Sequence, residues 1–304
     1  MTIDRRDFLA GGALLAAAAT AGAARSAEAA PLEGEALRAT PIFDINAHLS
    51  EAPARTAAGY DVARDLAHRK SVMARWGIRR TVLMAPYLFD MSQGPADTRR
   101  QNDYVAWYCD AHRDLFPVGV GGVQPAQGQE AGIAEIRRMK NELGLAGLMF
   151  HPEYTGGITS ARMVAFAKEC ANLKMPVFIH MEIPGGSENG TDMETLARRV
   201  PECTFVALGG FSAHRTATEL RGAAKSCPNI LFDTSFCYPM GNQIADFASV
   251  CGSERILFGS CMESTDDTYV YPAGYYDILY GNDLTDDDRQ NILWKNAHRL
   301  FGLT

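Results

Sequence analysis

Short apolar runs alternate with longer amphipathic stretches along most of this chain. The runs are continuously apolar, which is typical of parallel strands that are buried on both faces. The stretches between them are long enough to form the helical crossovers that parallel strands require. The pattern predicts strands at 42–46, 81–85, 116–123, 146–150, 177–180, 204–208, 230–234 and 256–259.

Helical patterns lie between and after these strands. They cover 61–76, 97–113, 129–142, 159–173, 191–200, 214–226, 241–252 and 285–300. Eight strand–helix units over about 250 residues are the size of a (β/α)8 TIM barrel, so we predict an α/β barrel domain over residues 41–304. The alternative, an open doubly wound sheet, requires a glycine-rich turn after the first strand. Ala47-His48-Leu49-Ser50 is not such a turn.

The first residues of the chain predict a targeting segment. Arg5-Arg6 has the twin-arginine export pattern, and Ala27-Glu28-Ala29 fits a cleavage site. We therefore predict a signal peptide over 1–29, a tether over 30–40 and export to the periplasm or the medium by the twin-arginine route. The apolar run at 11–23 is shorter than the roughly 20 residues that a transmembrane helix needs, and no later run reaches that length, so we predict no membrane span.

Charge and cysteine content narrow the possible partners. The net charge is −7 at pH 7, and the predicted mature chain has no cluster of Lys or Arg. This argues against nucleic acid as a partner and favours a small-molecule substrate. A homo-oligomer is possible. The seven cysteines are odd in number and show no CxxC spacing, so they indicate neither a disulfide framework nor a zinc ribbon.

Polar side chains gather at the carboxyl ends of the predicted strands, where the active site of a (β/α)8 barrel forms. Asn46 and His48 end the first strand. The ends of later strands carry His151, His180, Glu182, Cys261 and Glu263. Three of the seven histidines therefore lie at strand ends, which points to a functional site rather than a chance distribution.

Several segments resemble the amidohydrolase 2 (amidohydrolase-related) family, which includes the aminocarboxymuconate-semialdehyde decarboxylase-like enzymes. They are Phe43-Asp44-Ile45-Asn46-Ala47-His48, Gly147 to Pro152, Met175 to His180, Arg255 to Gly259 and Asn291 to Leu303. The resemblance covers nearly the whole predicted mature chain. It implies one divalent metal, usually zinc, held by two histidines of strand one, a histidine ending strand five and an aspartate ending strand eight. It also implies a histidine ending strand six that helps to transfer protons.

The chain departs from this family pattern at three of the five positions. His48 and His180 are present, but Asn46 replaces the first histidine and Cys261 replaces the aspartate. The strand-six histidine falls on Ala207 or Gly210, depending on register. A neutral amide is a weak ligand, whereas a thiolate is a strong and soft one. We therefore expect either no metal or a weakly bound divalent metal, with zinc held by His48, His180 and Cys261 if any binds.

The same residues define a candidate active site. We predict His48, His151 and His180 as its polar core, with Glu182 or Glu263 as acid–base groups, because a carboxyl group in an apolar pocket can have a raised pKa. Alternatively, the histidines are hydrogen-bonded core residues, and Cys261 fills the space of the lost aspartate. Aromatic residues that follow strands suit a flat ring. The predicted substrate-binding residues are Asn46, Tyr87, Tyr154, Phe236 and Tyr238.

The resemblance implies hydrolysis of a C–O or C–N bond in a small organic substrate, and the aromatic residues after the strands favour an aromatic or cyclic one. One alternative is a C–C lyase or decarboxylase that lacks the usual metal site. Another is a barrel that binds a ligand without catalysis. An enzyme should bring several titratable groups together in one pocket, whereas a binding protein needs only shape and a few donors.

Overall fold

The computed structural model describes residues 40–49, 61–86, 93–124, 128–150, 157–181, 189–238, 241–263 and 272–303. Eight parallel strands form one sheet in the order β1 to β8, each paired with its neighbours in the sequence. The predicted barrel is confirmed. The strands are β1 Ile42–His48, β2 Ile78–Met84, β3 Val118–Gly122, β4 Gly147–Phe150, β5 Val177–His180, β6 Phe205–Leu208, β7 Ile230–Asp233 and β8 Ile256–Leu257.

Helices follow the strands, as predicted. They are α1 Val62–Trp76, α2 Pro95–Ala111, α3 Gln129–Asn141, α4 Ala161–Asn172, α5 Gly190–Arg199, α6 His214–Ser226, α7 Gln243–Cys251, α8 Pro272–Tyr280, α9 Asp286–Gln290 and α10 Asn296–Phe301. Two details differ from the prediction. Helix α8 was not predicted, because its glycine and three tyrosines are poor helix formers. The predicted helix at 285–300 is divided into α9 and α10 by a π-helical turn over Asn291–Lys295.

Local sequence signals explain where several helices begin and end. The side chain of Asp61 accepts a hydrogen bond from the backbone N–H of Ala63 and caps the start of α1. That helix ends at Gly77, which has a φ of 72°. A left-handed residue at this point suits glycine, which has no Cβ to clash. Asn189 caps α5 in the same way as Asp61 caps α1, and Thr285 forms a capping box with Asp288 at the start of α9.

The barrel closes between β1 and β8, a junction that we call the seam. Ile45 N donates to Phe258 O (2.9 Å), and His48 N donates to Met262 O (2.8 Å). Between these two bonds, the carboxyl group of Asp44 accepts hydrogen bonds from Ser260 N (2.8 Å) and Ser260 Oγ (2.5 Å). A side chain thus replaces part of the backbone ladder, which is why β8 is shorter than its predicted span of 256–259.

Residues 1–39, which contain the predicted signal peptide and nearly all of the predicted tether, lie outside the described residues. In the part of the chain that the structure describes, no helix is both long and apolar enough to cross a bilayer. All seven cysteines lie in that part and are free thiols. Burial raises the pKa of Cys109 and of Cys203 to about 12, as expected for packing residues.

Asp44 makes the stability of the seam depend on pH. Complete burial raises its pKa to about 7, although the hydrogen bonds from Ser260 and from the Asn46 backbone oppose the shift. In the unfolded chain the pKa of this carboxyl is about 4, so between about pH 4 and the folded pKa the folded protein holds a proton that the unfolded chain has lost. The stability that this proton provides is complete below about pH 4 and is lost as the pH rises to about 7.

We expect Asp44→Asn, which mimics the protonated carboxyl, to gain stability relative to wild type as the pH rises from about 5 to 7.5. The measurement is urea unfolding of both proteins across this range, and the slope should not exceed about 1.4 kcal/mol per pH unit. Asp286→Asn on the exposed side of α9 is the matched control and should show no such trend. A difference between Asp44→Asn and wild type that does not change with pH would contradict this account.

Candidate active site

Two predicted site residues, His48 and His180, meet inside the barrel. They end β1 and β5, which lie on opposite sides of the eight-stranded barrel. The two imidazole rings nevertheless lie 5.0 Å apart between centroids, with an angle of 37° between their planes. Both residues are buried. This contact across the barrel shows that both side chains point inward at the carboxyl end of the strands.

The hydrogen bonds of His48 determine its tautomer. Its Nδ1 lies 2.9 Å from the backbone oxygen of Ala85, at the end of β2. A carbonyl oxygen can only accept, so Nδ1 carries the proton. In the neutral ring the basic lone pair is therefore on Nε2. A backbone bond thus orients a potential base.

A buried ion pair supports the main chain of His48. Arg69 of α1 donates to His48 O (2.6 Å), and its Nε donates to both carboxylate oxygens of Asp65. The side chains of Arg69 and Asp65 are 0% and 1% exposed. Tyr108 of α2 donates its hydroxyl to Asp65 (2.7 Å). Two outer helices therefore hold the end of β1 in place.

His180 is neutral in this environment. Burial alone lowers its pKa to about 3, far below the ordinary value for an imidazole. It therefore does not gain a proton at physiological pH. His180 can donate or accept a hydrogen bond, but it is a poor proton carrier in that range.

Asn46, where the family pattern has a metal-binding histidine, is part of a hydrogen-bonded network that links β1 to β6 and β7. Its Nδ2 donates to Asp233 Oδ2 (3.0 Å) and to Ser235 Oγ (3.0 Å). Ser235 Oγ donates to Asp233 Oδ1 (2.8 Å), and Gly209 N donates to the same oxygen (2.6 Å). These groups come from β1 and from the ends of β6 and β7, so the network joins strands on both sides of β8.

The network depends on a glycine in the segment that follows β8. A Cβ atom on Gly259 would overlap Asp233 Oδ2 and would lie 3.0 Å from the Asn46 Cβ. Because β8 separates β1 from β7, Asn46 reaches Asp233 only past this position. The Arg255 to Gly259 segment, which carries part of the family resemblance, therefore has a steric role in this chain.

Two buried amide oxygens near this end of the barrel have no hydrogen-bond partner among the described residues. They are Asn46 Oδ1 and Gln124 Oε1, on side chains that are 0% and 8% exposed. Gln124 lies two residues past the end of β3. A buried acceptor left unpaired costs about 1–3 kcal/mol, so these oxygens are suited to meet donors from a bound molecule.

The other described candidates lie at the same end of the barrel. Cys261 is buried, and Glu263 is partly buried, both just past β8. Phe236 and Cys261 have φ angles of 54° and 53°, in the left-handed region, where the backbone of residues other than glycine is strained. Tyr238 is 54% exposed and lines a groove with Tyr276 and Tyr280 of α8.

Four predicted site residues lie outside the described residues: His151, Glu182, Tyr87 and Tyr154. Conversely, Asp233, Ser235 and Gln124 contribute to the site but are not among the site residues predicted from the sequence. Asp233 was placed inside the predicted strand at 230–234. Asp233 could have been found, because it is a polar residue at the end of an apolar run, which is the pattern that predicted His48 and His180 as site residues.

The family of this chain follows from a direct comparison. The amidohydrolase family model matches residues 43–303. The chain belongs to the amidohydrolase family. A 2-keto-4-carboxy-3-hexenedioate hydratase from Sphingobium sp. is 26% identical over 269 residues, covering 73% of this chain and 76% of that protein.

Solved structures show the same fold at lower identity. The 4-oxalomesaconate hydratase from Rhodopseudomonas palustris has a TM-score of 0.64 and 18% identity, covering 86% of this chain and 95% of that one. A 5-carboxyvanillate decarboxylase from Novosphingobium aromaticivorans, complexed with manganese and 4-hydroxy-3-methoxy-5-nitrobenzoic acid, has a TM-score of 0.64 and 17% identity, covering 88% of this chain and 97% of that one.

The described side chains offer only a poor site for the divalent metal that the family implies. An amide nitrogen is not a metal ligand, and the Asn46 amide donates from Nδ2 to Asp233 and Ser235, so this residue offers only its neutral Oδ1, a weaker ligand than the histidine nitrogen of the family pattern. Within the described ranges, no three His, Cys, Asp or Glu side chains are arranged to hold a metal ion, and His48, His180 and Cys261 therefore form no such group. We derive no catalytic step through a metal.

Because Arg69 supports the backbone of His48, we expect substitution of Arg69 to lower the free energy of unfolding substantially. Arg69→Met leaves Asp65 as an unpaired buried charge and removes the donor to His48 O, so we expect a loss of about 3–5 kcal/mol in the free energy of unfolding. Tyr108→Phe should cost about 1.5–3 kcal/mol, because it removes one hydrogen bond to a carboxylate.

Urea unfolding measures both losses. Arg113→Met is the matched control, since Arg113 makes an exposed ion pair with Asp110 that should contribute little. If Arg69→Met were as stable as Arg113→Met, the proposed support of β1 would be wrong.

Proposed function

We propose that this protein is an enzyme that uses His48 as a general base to direct water at a C–O or C–N bond of a small cyclic or aromatic molecule. The observation that carries the proposal is the bond from His48 Nδ1 to Ala85 O, which leaves Nε2 as the basic atom. A base with a fixed tautomer and ring orientation contributes about 10²–10⁴-fold to a reaction that moves a proton.

In the proposed step, His48 Nε2 takes a proton from water while the water oxygen bonds to the substrate carbon. In hydrolysis the leaving oxygen or nitrogen then receives the proton from the imidazolium of His48. In hydration the same proton goes to the neighbouring carbon of the double bond. His180 beside it stays neutral, with its pKa at about 3, and serves to orient the substrate or the water.

Two observations support water chemistry. The 26% identical relative is a hydratase, an enzyme named for adding or removing water. The site also joins a base with buried amide acceptors, as polar substrates require. Decarboxylation is the second candidate, because solved structures of the same fold include decarboxylases of hydroxylated benzoates. It would require a carboxylate substrate.

The place of action is also a proposal. Arg5-Arg6 and Ala27-Glu28-Ala29 support export by the twin-arginine route, so we propose a periplasmic or secreted enzyme. A substrate that reaches the cell from outside fits this location.

The roles of the two histidines can be separated by kinetics. We expect the mature protein to hydrolyse neutral aromatic lactones that carry a hydroxyl group, such as 6-hydroxydihydrocoumarin, and His48→Gln to lower kcat/KM by at least about 100-fold. His180→Asn should lower the rate but leave the pH dependence between about pH 5 and 8 unchanged, because a group with a pKa of about 3 does not titrate there.

Circular dichroism of each variant controls for folding, and release of CO₂ from 2,6-dihydroxybenzoate tests the second candidate. Full activity in His48→Gln would exclude His48 as the base. Turnover of the benzoate without turnover of any lactone would favour decarboxylation instead.

A further inference from the structure

We infer that the molecule bound at the His48–His180 end of the barrel carries hydrogen-bond donors and no carboxylate. It is an uncharged or cationic compound. The inference rests on the proposed function only in taking this end of the barrel as the active site. It adds the chemical class of the substrate, which the His48 chemistry leaves open.

Two buried amide groups of the site have acceptor atoms that make no hydrogen bond to the described residues. Asn46 Oδ1 and Gln124 Oε1 are acceptors without a partner among the described residues. The two N–H groups of Asn46 are already given to Asp233 and Ser235, so the amide cannot flip to present donors without losing both bonds. A hydroxyl, an amide or a protonated amine would satisfy such oxygens, whereas a carboxylate would face them with further acceptors.

The second argument is the charge beneath the histidines. Asp233 lies within the barrel, and the donors described above, from Gly209, Ser235 and Asn46, are neutral groups. A buried carboxylate that is bound by these neutral donors gives the interior a negative potential.

The third argument is where the cations of the chain lie. Arg69 approaches His48, but its guanidinium is engaged by Asp65 and by the His48 backbone oxygen. The eight segments that lead from the carboxyl end of each strand to the next helix carry nine Asp or Glu residues in the sequence and one cation, Arg55. The whole chain has 36 acidic and 29 basic residues, so these segments are depleted of basic residues, whereas their acidic content is that of the chain as a whole.

A carboxylate ligand is usually held by arginine, lysine or a ring of N–H donors. The names of the relatives describe such ligands, a hexenedioate for the hydratase and a benzoic acid for the decarboxylase complex. Among the described residues that follow the strands of this chain, there is no Lys or Arg to bind one. The barrel has therefore kept the family fold while its charge suits a different class of substrate.

Three nearly isosteric probes test the inference on the mature protein: benzamidine (cationic), benzamide (neutral) and benzoate (anionic). Binding is measured by ligand-observed NMR and calorimetry at neutral pH and low salt. We expect benzamidine and benzamide each to bind at least about tenfold more tightly than benzoate, and added salt to weaken benzamidine most. Equal or tighter binding of benzoate would overturn the inference, and so would a failure of both other probes to bind.

Variants localise the effect. Gln124→Leu should weaken benzamide and benzamidine at least about fivefold by removing an acceptor, whereas Gln129→Leu, at an exposed glutamine of α3, should leave binding unchanged. Gln124→Lys should raise the affinity for benzoate. If both Gln124 variants bind the probes like wild type, the acceptor argument is wrong.

The two proposals fail separately. Full lactone hydrolysis in His48→Gln with the expected order of probe binding would refute the role of His48 alone. Dependence of the activity on His48 together with preferred binding of benzoate would refute the substrate class alone.

Discussion

The hydrogen bond from Asn46 to Asp233 connects the first strand of this barrel to its seventh strand. It reaches from β1 past β8 to β7, over the position where Gly259 has no side chain. Ser235 and Gly209 complete the arrangement, so the ends of β6 and β7 are bound to the same carboxylate. Asn46 and His48 share one face of β1, and the network therefore also fixes the strand that presents the proposed base.

Strand β1 is held on three sides. The seam on one side combines two backbone bonds with the bonds from Ser260 to Asp44. On the outside, Arg69 binds the backbone oxygen of His48, and on the inside Asn46 binds Asp233. A base that is so firmly positioned requires little reorganisation when it accepts a proton, which is how a rigid scaffold promotes proton transfer. His180, which lies beside His48, is buried and neutral.

The barrel could be predicted because each strand is encoded by a short run of apolar residues that are adjacent in the sequence. Each continuous apolar run became a strand, and the strand ends predicted His48 and His180 as neighbours before any contact was known. The family resemblance identified Asn46 as a departure but not what it does. Its partners Asp233 and Ser235 are 187 and 189 residues away in the sequence, and one sequence alone does not pair them. Likewise, side-chain bonds at the seam shortened β8, and helix α8 formed despite weak intrinsic propensity.

The central claim is that a hydrogen-bonded amide occupies the place of a metal ligand in this amidohydrolase. Elemental analysis of the mature protein, purified without added metal or chelator, tests it most directly, with Asn46→His/Cys261→Asp measured in parallel. We predict well under one equivalent of zinc or manganese in the wild type and a clear increase in the double variant, which regains two ligands of the family pattern. One equivalent of tightly held metal in the wild type, lost when Asn46 is replaced by leucine, would contradict the account.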